Sequence, residues 1–80
     1  MSEILIKERM MNRISVDSSN LHSVGYDPDT QILEIEFKTG GVYEYSGVPK
    51  EIYQQLIAAS SHGKFFHAHI KNVYRYKRIK

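Results

Sequence analysis

The residues at positions 64–80 combine basic side chains with tyrosines and include no aspartate or glutamate. Lysine and arginine neutralise the phosphates of nucleic acids, and an exposed tyrosine ring stacks on an unpaired base. This stretch therefore predicts a nucleic-acid-binding face, without any motif for sequence-specific recognition. The candidate residues are Lys64, His67, Lys71, Tyr74, Arg75, Tyr76, Lys77 and Arg78. The alternative for the tyrosines is packing on a sheet with a solvated hydroxyl.

The charge is distributed unevenly along the chain. Residues 1–51 contain five Lys/Arg and nine Asp/Glu, whereas residues 52–80 contain six Lys/Arg and no acid, within a net charge of +2. Such charge asymmetry favours an anionic partner, RNA or another polyanion, if the basic part of the chain is exposed. The alternative is a solvated surface whose charges are segregated without function.

Catalytic and metal-binding patterns are weak. Asp17, Ser18 and Ser19 with His22 supply triad residue types, but serine and aspartate at a turn usually bind the local backbone. His62, His67 and His69 are spaced five and two residues apart, which does not bring imidazoles together on a helix. We therefore expect no catalytic residues, no metal and no cofactor.

One glycine-containing segment, "SSHGK" at 60–64, lacks the spacing of a nucleotide-binding loop. A helix start with Lys64 could still hold a single phosphate. Capping of the helix by serine is the alternative.

The elements that position these residues follow from two hydrophobic periods. Before Pro49 the period is two, as in "QILEIEF", "VYEYS" and "LHSVGYD", and "RISVDS" is a further candidate strand. The "KTGG" segment predicts a two-residue hairpin turn with at least one positive φ at Gly40 or Gly41. These segments predict an antiparallel meander of three or four strands.

After Pro49 the period becomes helical. Pro49 suits the first turn of a helix, and Ser60 or Ser61 predicts the cap of a second one. In that second helix we expect Phe66, Ile70 and Val73 to face the core, with Lys64, His67 and Lys71 on another side. "VYRYKRIK" alternates again and predicts a C-terminal edge strand, where lysine also discourages unwanted pairing.

The segments "VDSSNLHSVGYD", "LEIEFKTGGVYEYSGVP", "IYQQLIAASSHGKFF" and "HIKNVY" together resemble the KTSC domain family. This family is named after a lysyl-tRNA synthetase C-terminal region and also includes stand-alone proteins. The resemblance extends over about Ile14 to Ile79. It implies an α+β fold, and the synthetase context suggests RNA binding.

The expected protein is one α+β domain at residues 13–80, with residues 1–12 as an N-terminal extension for which flexibility is one interpretation. Its sheet packs on two helices. The absence of cysteine and of a long apolar run favours a cytoplasmic protein without membrane association. We expect a non-enzymatic RNA-binding module, or alternatively a protein–protein interaction module. The predicted core comprises Val24, Tyr26, Leu33, Ile35, Phe37, Leu56, Ile57, Phe66 and Ile70.

Overall fold

The computed structural model describes residues 13–80, so the predicted N-terminal extension lies outside the described residues. In this part of the chain, five strands form one antiparallel sheet whose spatial order is their order in sequence. Two helices come between the fourth strand and the fifth. The α+β meander is confirmed, and the predicted C-terminal edge strand is present. The elements are β1 (Arg13–Ser15), β2 (Leu21–Asp27), β3 (Ile32–Phe37), β4 (Val42–Ser46), α1 (Lys50–Ala58), α2 (His62–His69) and β5 (Arg75–Arg78).

The core lies between one face of the sheet and the two helices. Val24 pairs with Ile35, and Leu33 pairs with Tyr45, so alternate residues of three strands share this face. Of the predicted core, Val24, Leu33, Ile35, Leu56, Phe66 and Ile70 are buried, while Tyr26, Phe37 and Ile57 are half-buried against them. The prediction missed Leu21, Val42, Tyr45 and Val48, which are also buried.

The β3–β4 turn has three residues rather than the predicted two. The Phe37 N–H donates to the Gly41 carbonyl (2.9 Å), and the Gly40 N–H donates back to the Phe37 carbonyl (2.8 Å). The φ angle of Gly40 is +106°, which confirms the expected positive φ. A turn followed by a glycine of positive φ is a common three-residue hairpin, and it sets the register that directs Phe37 toward the core.

Helix α1 begins after Pro49, as predicted, and packs its Tyr53 ring on the Tyr26 ring of β2. The two ring centres lie 4.8 Å apart and nearly parallel. The Tyr26 hydroxyl donates to the Val48 carbonyl at 2.6 Å, which ties the strand to the loop before the helix. Neither helix within residues 13–80 has the length and hydropathy of a membrane span.

Helix α2 is shorter than the sequence period predicts. Ser61 caps its start by accepting the Lys64 N–H at 3.3 Å, which confirms the capping interpretation. The helix ends at His69, and Asn72 adopts a left-handed φ of +67°. The turn redirects the chain toward β5, so Val73 is 59% exposed and its predicted place in the core is wrong.

Candidate nucleic-acid interface

Strand β5 sends its side chains alternately to the two faces of the sheet. Tyr76 lies opposite Tyr45 and Arg78 opposite Tyr43, so both point to the face that packs on the helices. Arg75 and Lys77 therefore point to the other face. The predicted basic residues do not form one surface, and this part of the sequence-based prediction is corrected by the register of β5.

The sheet face that carries Arg75 and Lys77 also carries carboxylates. Lys77 Nζ lies 4.0 Å from Glu44 Oε1. Farther along this face, Arg13 Nε lies 3.3 Å from Glu34 Oε1. Phosphate binding here competes with these neighbouring negative charges, so Arg75 and Lys77 belong to a surface of mixed charge.

On the helix side, a groove opens between α2 and the strands β3, β4 and β5. Its volume is about 430 Å³. We call it the aromatic groove, because five of its ten lining residues are aromatic rings other than histidine. Those lining residues are Asn20, Phe37, Thr39, Tyr43, Tyr45, Phe66, His67, Lys71, Asn72 and Tyr76.

The five rings of the aromatic groove form a closed circuit of contacts. Neighbouring ring centres are separated by 5.4–5.7 Å all the way round, in the order Tyr76, Tyr43, Phe37, Phe66, Tyr45 and back to Tyr76. Three of the contacts are edge-to-face and the two that involve Tyr76 are tilted. Such distances are those of favourable aromatic pairs, so the circuit gives the groove a preorganised floor.

Tyr76 is the most accessible ring of the circuit. It is 55% exposed, whereas Tyr45 beneath it is 4% exposed. Burial, followed by the neighbouring Tyr76 and Tyr43 hydroxyls, raises the pKa of Tyr45 to about 12. Tyr45 therefore stays protonated and adds no negative charge near neutral pH, while Tyr76 presents a ring for stacking.

Basic side chains lie along the edges of the aromatic groove. Lys71 and His67 are in its lining, and Lys64 precedes His67 by one helical turn on α2. On the strand side, the Arg78 guanidinium lies 5.9 Å from the centre of the Tyr43 ring. Among residues 13–80, no aspartate or glutamate is in the lining. We call Lys64, His67, Lys71 and Arg78 the basic rim.

Arg78 is held in place by its surroundings. Its Nε–H donates to the Lys80 carbonyl at 2.9 Å. Glycine at position 41 leaves room beneath it, because a Cβ there would lie 3.2 Å from Tyr43 Cε1 and 3.5 Å from an Arg78 terminal nitrogen. A side chain at position 41 would therefore crowd the edge of the Tyr43 ring, and glycine leaves this contact relaxed.

Residues 17–74 match the KTSC domain family. The chain belongs to this family. A crystal structure of a KTSC domain protein from Yersinia pestis is similar to the whole fold, with a TM-score of 0.86 and 43% sequence identity. The match covers 88% of this chain and 99% of that one.

Two kinds of relative carry the KTSC domain. An uncharacterized protein of Stutzerimonas stutzeri is 49% identical over 70 residues, covering 86% of this chain and 99% of its own length. A lysine–tRNA ligase of a Nostoc species is 36% identical over 63 residues, covering 79% of this chain but only 11% of the ligase. The domain therefore occurs both nearly alone and as a small part of a larger enzyme.

The other residues considered from the sequence have structural surroundings in this KTSC domain. Ser18 Oγ accepts the N–H groups of Asn20 and Leu21, both at 3.2 Å, which confirms the turn interpretation. The His62 ring lies between the Asp17 and Ile57 carbonyls, at 3.4 and 3.3 Å. Over residues 13–80, no three histidine or carboxylate side chains form a cluster able to hold a metal ion.

Sequence reasoning placed some of the KTSC groove residues and missed others. It selected His67, Lys71 and Tyr76, which the fold brings together, and Tyr74, which is half-buried against the core instead. The remaining lining residues are not among the predicted site residues: the sequence predicts Tyr43 as a strand residue and Phe37 as a strand and core residue. The one available signal was the alternation of β4 and β5, which places their tyrosines on a common face once the two strands are paired.

Proposed function

We propose that this KTSC domain is a small cytoplasmic, non-enzymatic module that binds single-stranded RNA weakly through the aromatic groove and its basic rim. One observation carries the proposal: an accessible tyrosine, Tyr76, lies in a groove edged by basic side chains, and the described part of the chain contributes no carboxylate to its lining. Aromatic faces and backbone-tracking cations are the two components that single-strand-binding proteins combine.

Single-stranded nucleic acid fits these features better than a duplex. A ring stacks only on a base whose face is free, and bases in a duplex are already stacked on their neighbours. The few cations of the basic rim neutralise few phosphates, so the affinity should be low and dependent on salt. The lysine–tRNA ligase relatives support an RNA partner because, by their name, they act on tRNA.

The proposal is tested by an NMR titration of the labelled full chain with short single-stranded RNA at two or more salt concentrations. We expect shifts centred on the basic rim and the groove. If three phosphates are neutralised, log K should fall with log salt at a slope of about −2. DNA of the same sequence distinguishes an RNA preference from general polyanion binding.

Charge reversal offers a matched control within the chain. The double variant Lys64→Glu with Lys71→Glu should weaken binding to all RNA sequences alike. It should also make the slope of log K against log salt shallower by about 1.4. Arg75→Glu with Lys77→Glu makes the same change in net charge on the other sheet face, and should weaken binding less. The sequence alone predicts that charge reversal at Arg75 and Lys77 weakens binding, but Glu44, 4.0 Å from Lys77, reduces the loss that we expect there.

Equal losses in both double variants would show that net charge, not the groove, governs binding. An absence of shifts in low salt would overturn the proposal. In that case a protein partner retained at high salt becomes the better explanation, with exposed Val73 and Ile79 beside β5 as its contact residues.

A further inference from the structure

The aromatic groove contains more than phosphate binding requires. Phosphates need only cations at suitable spacing, and exposed lysines supply these anywhere on a surface. Here the cations border a concave space of about 430 Å³ with a floor of packed rings. That volume is within the roughly 300–1,000 Å³ of sites that enclose small molecules or cofactors.

The polar residues of the groove can form hydrogen bonds with the edge of a nucleotide base. Asn20, Thr39 and Asn72 lie in the same lining as the aromatic rings. An asparagine amide carries both donors and an acceptor, which is what the edge of an unpaired base presents in return. Lys71, in the same lining, supplies a positive charge for a phosphate attached to that base.

We infer, resting on the function proposed above, that the aromatic groove is a pocket for one unpaired nucleotide, with its base on Tyr76 and its phosphate toward Lys71. A nucleotide in a strand and a free nucleoside monophosphate share this chemistry. The experiment below therefore includes both.

Asn72 provides a variant that separates recognition from folding. Its φ of +67° is a conformation that glycine adopts without strain, and asparagine tolerates. Asn72→Gly thus keeps the turn after α2 and removes only the amide from the groove. Tyr76 is similarly suitable because it is already 55% exposed.

The test is an NMR titration of the full chain with the four nucleoside 5′-monophosphates, with ribose 5-phosphate as the probe that lacks a base. We expect the monophosphates to shift groove residues and ribose 5-phosphate to bind at least tenfold more weakly. Tyr76→Ala should weaken both monophosphate and single-stranded oligonucleotide by roughly 5- to 100-fold, the effect typical of a stacking ring. Tyr76→Phe should retain most of the affinity, and Asn72→Gly should reduce differences among the four bases at unchanged melting temperature.

The outcomes distinguish the pocket from the broader function. The pocket is overturned if Tyr76→Ala leaves oligonucleotide affinity unchanged and an abasic strand of the same length binds equally well. RNA binding through phosphates alone would then remain. Monophosphate binding without oligonucleotide binding supports the pocket and overturns the RNA module. If Tyr76→Phe loses as much affinity as Tyr76→Ala, stacking on the ring is not the basis of nucleotide binding.

Discussion

Glu34 and Glu36 lie two residues apart on the same face of β3, and their carboxyl groups have opposite environments. Burial raises the pKa of Glu34, with Arg13 acting against this and Glu44 and Glu36 adding to it. The Ser23 hydroxyl, which donates to Glu36 at 2.7 Å, lowers the pKa of Glu36. Folding thus disfavours the ionised form of Glu34 and favours the ionised form of Glu36.

Replacing Glu34 with glutamine should raise the melting temperature at pH 7. A raised pKa means that the folded state binds the Glu34 proton more tightly than the unfolded state, so ionisation of Glu34 opposes folding. This penalty is present above the folded pKa and disappears as the pH falls below the ordinary carboxyl range of roughly 4. Thermal melts of both proteins at several pH values should therefore converge at low pH.

Glu36→Gln is the matched control, and its melting temperature should change in the opposite direction. Because folding lowers the pKa of Glu36, its ionised carboxylate stabilises the folded state at pH values above its pKa in the unfolded chain. That stabilisation is lost as the pH falls through its pKa in the folded protein. The variant should melt below the wild type at pH 7 and approach it in acid. Equal shifts of the same sign in the two variants would contradict the assigned environments.

At the scale of elements, the β3–β4 hairpin and the start of α2 both contain a glycine, for different reasons. Gly40 has a φ of +106°, whereas Gly63 has no positive φ and lies in the first turn of the helix. A Cβ at Gly63 would meet Asn20 Nδ2 at 3.4 Å and Ser18 Oγ at 3.6 Å, which are ordinary contacts. Of these two positions, only Gly40 has a backbone conformation that residues with a side chain rarely adopt.

Gly40→Ala should therefore destabilise the fold by about 1–2 kcal/mol, the cost of positive φ for a residue with a side chain. Gly63→Ala should range from neutral to about 1 kcal/mol more stable, because alanine is the better helix former. Denaturant unfolding of the two variants measures both values. A stable Gly40→Ala protein would show that the hairpin adopts another turn.

The elements were predictable where the sequence has a clear period and a clear terminator. Alternation predicts β2, β3 and β4, Pro49 marks the start of α1, and the Ser60–Ser61 pair marks that of α2, where the structure selects Ser61. The end of α2 was not predictable, since Phe66, Ile70 and Val73 keep a helical spacing beyond the point where the helix stops. The left-handed Asn72 decides that end, and asparagine adopts this conformation only in some contexts.

At the scale of the molecule, one core connects the sheet to both helices. Phe66 belongs to this core, and its ring centre lies 5.4 Å from that of Phe37 on β3 and 5.5 Å from that of Tyr45 on β4. A domain of this size buries a modest share of its surface, so each large core residue carries much of the total stability.

Phe66→Ala should cost about 3–5 kcal/mol, a large part of the roughly 5–15 kcal/mol that stabilises a typical domain. Partial or complete unfolding at 25 °C, seen by circular dichroism, is the expected result. Val73→Ala is the control, since this residue has the same helical spacing in sequence but is 59% exposed, and it should melt like the wild type. A wild-type melting curve for Phe66→Ala would contradict the buried position.

The aromatic groove was beyond sequence reasoning because its lining comes from five separate segments of the chain between Asn20 and Tyr76. The sequence predicts Lys64, His67 and Lys71 of the basic rim, together with Tyr74 and Tyr76, as candidates. Which of them share a surface depends on strand register and on the turn at Asn72, and both are tertiary properties.

Strand β5 is at the edge of the sheet, so its backbone pairs with β4 alone among the described strands. Edge elements with few neighbours open locally at a lower free energy than the whole domain requires. Each opening of β5 removes Tyr76 and Arg78 from the groove, so the proposed binding would depend on a local folding equilibrium. A bound nucleotide should then slow hydrogen exchange at β5 amides more than elsewhere, and mild warming should weaken binding well before the domain melts.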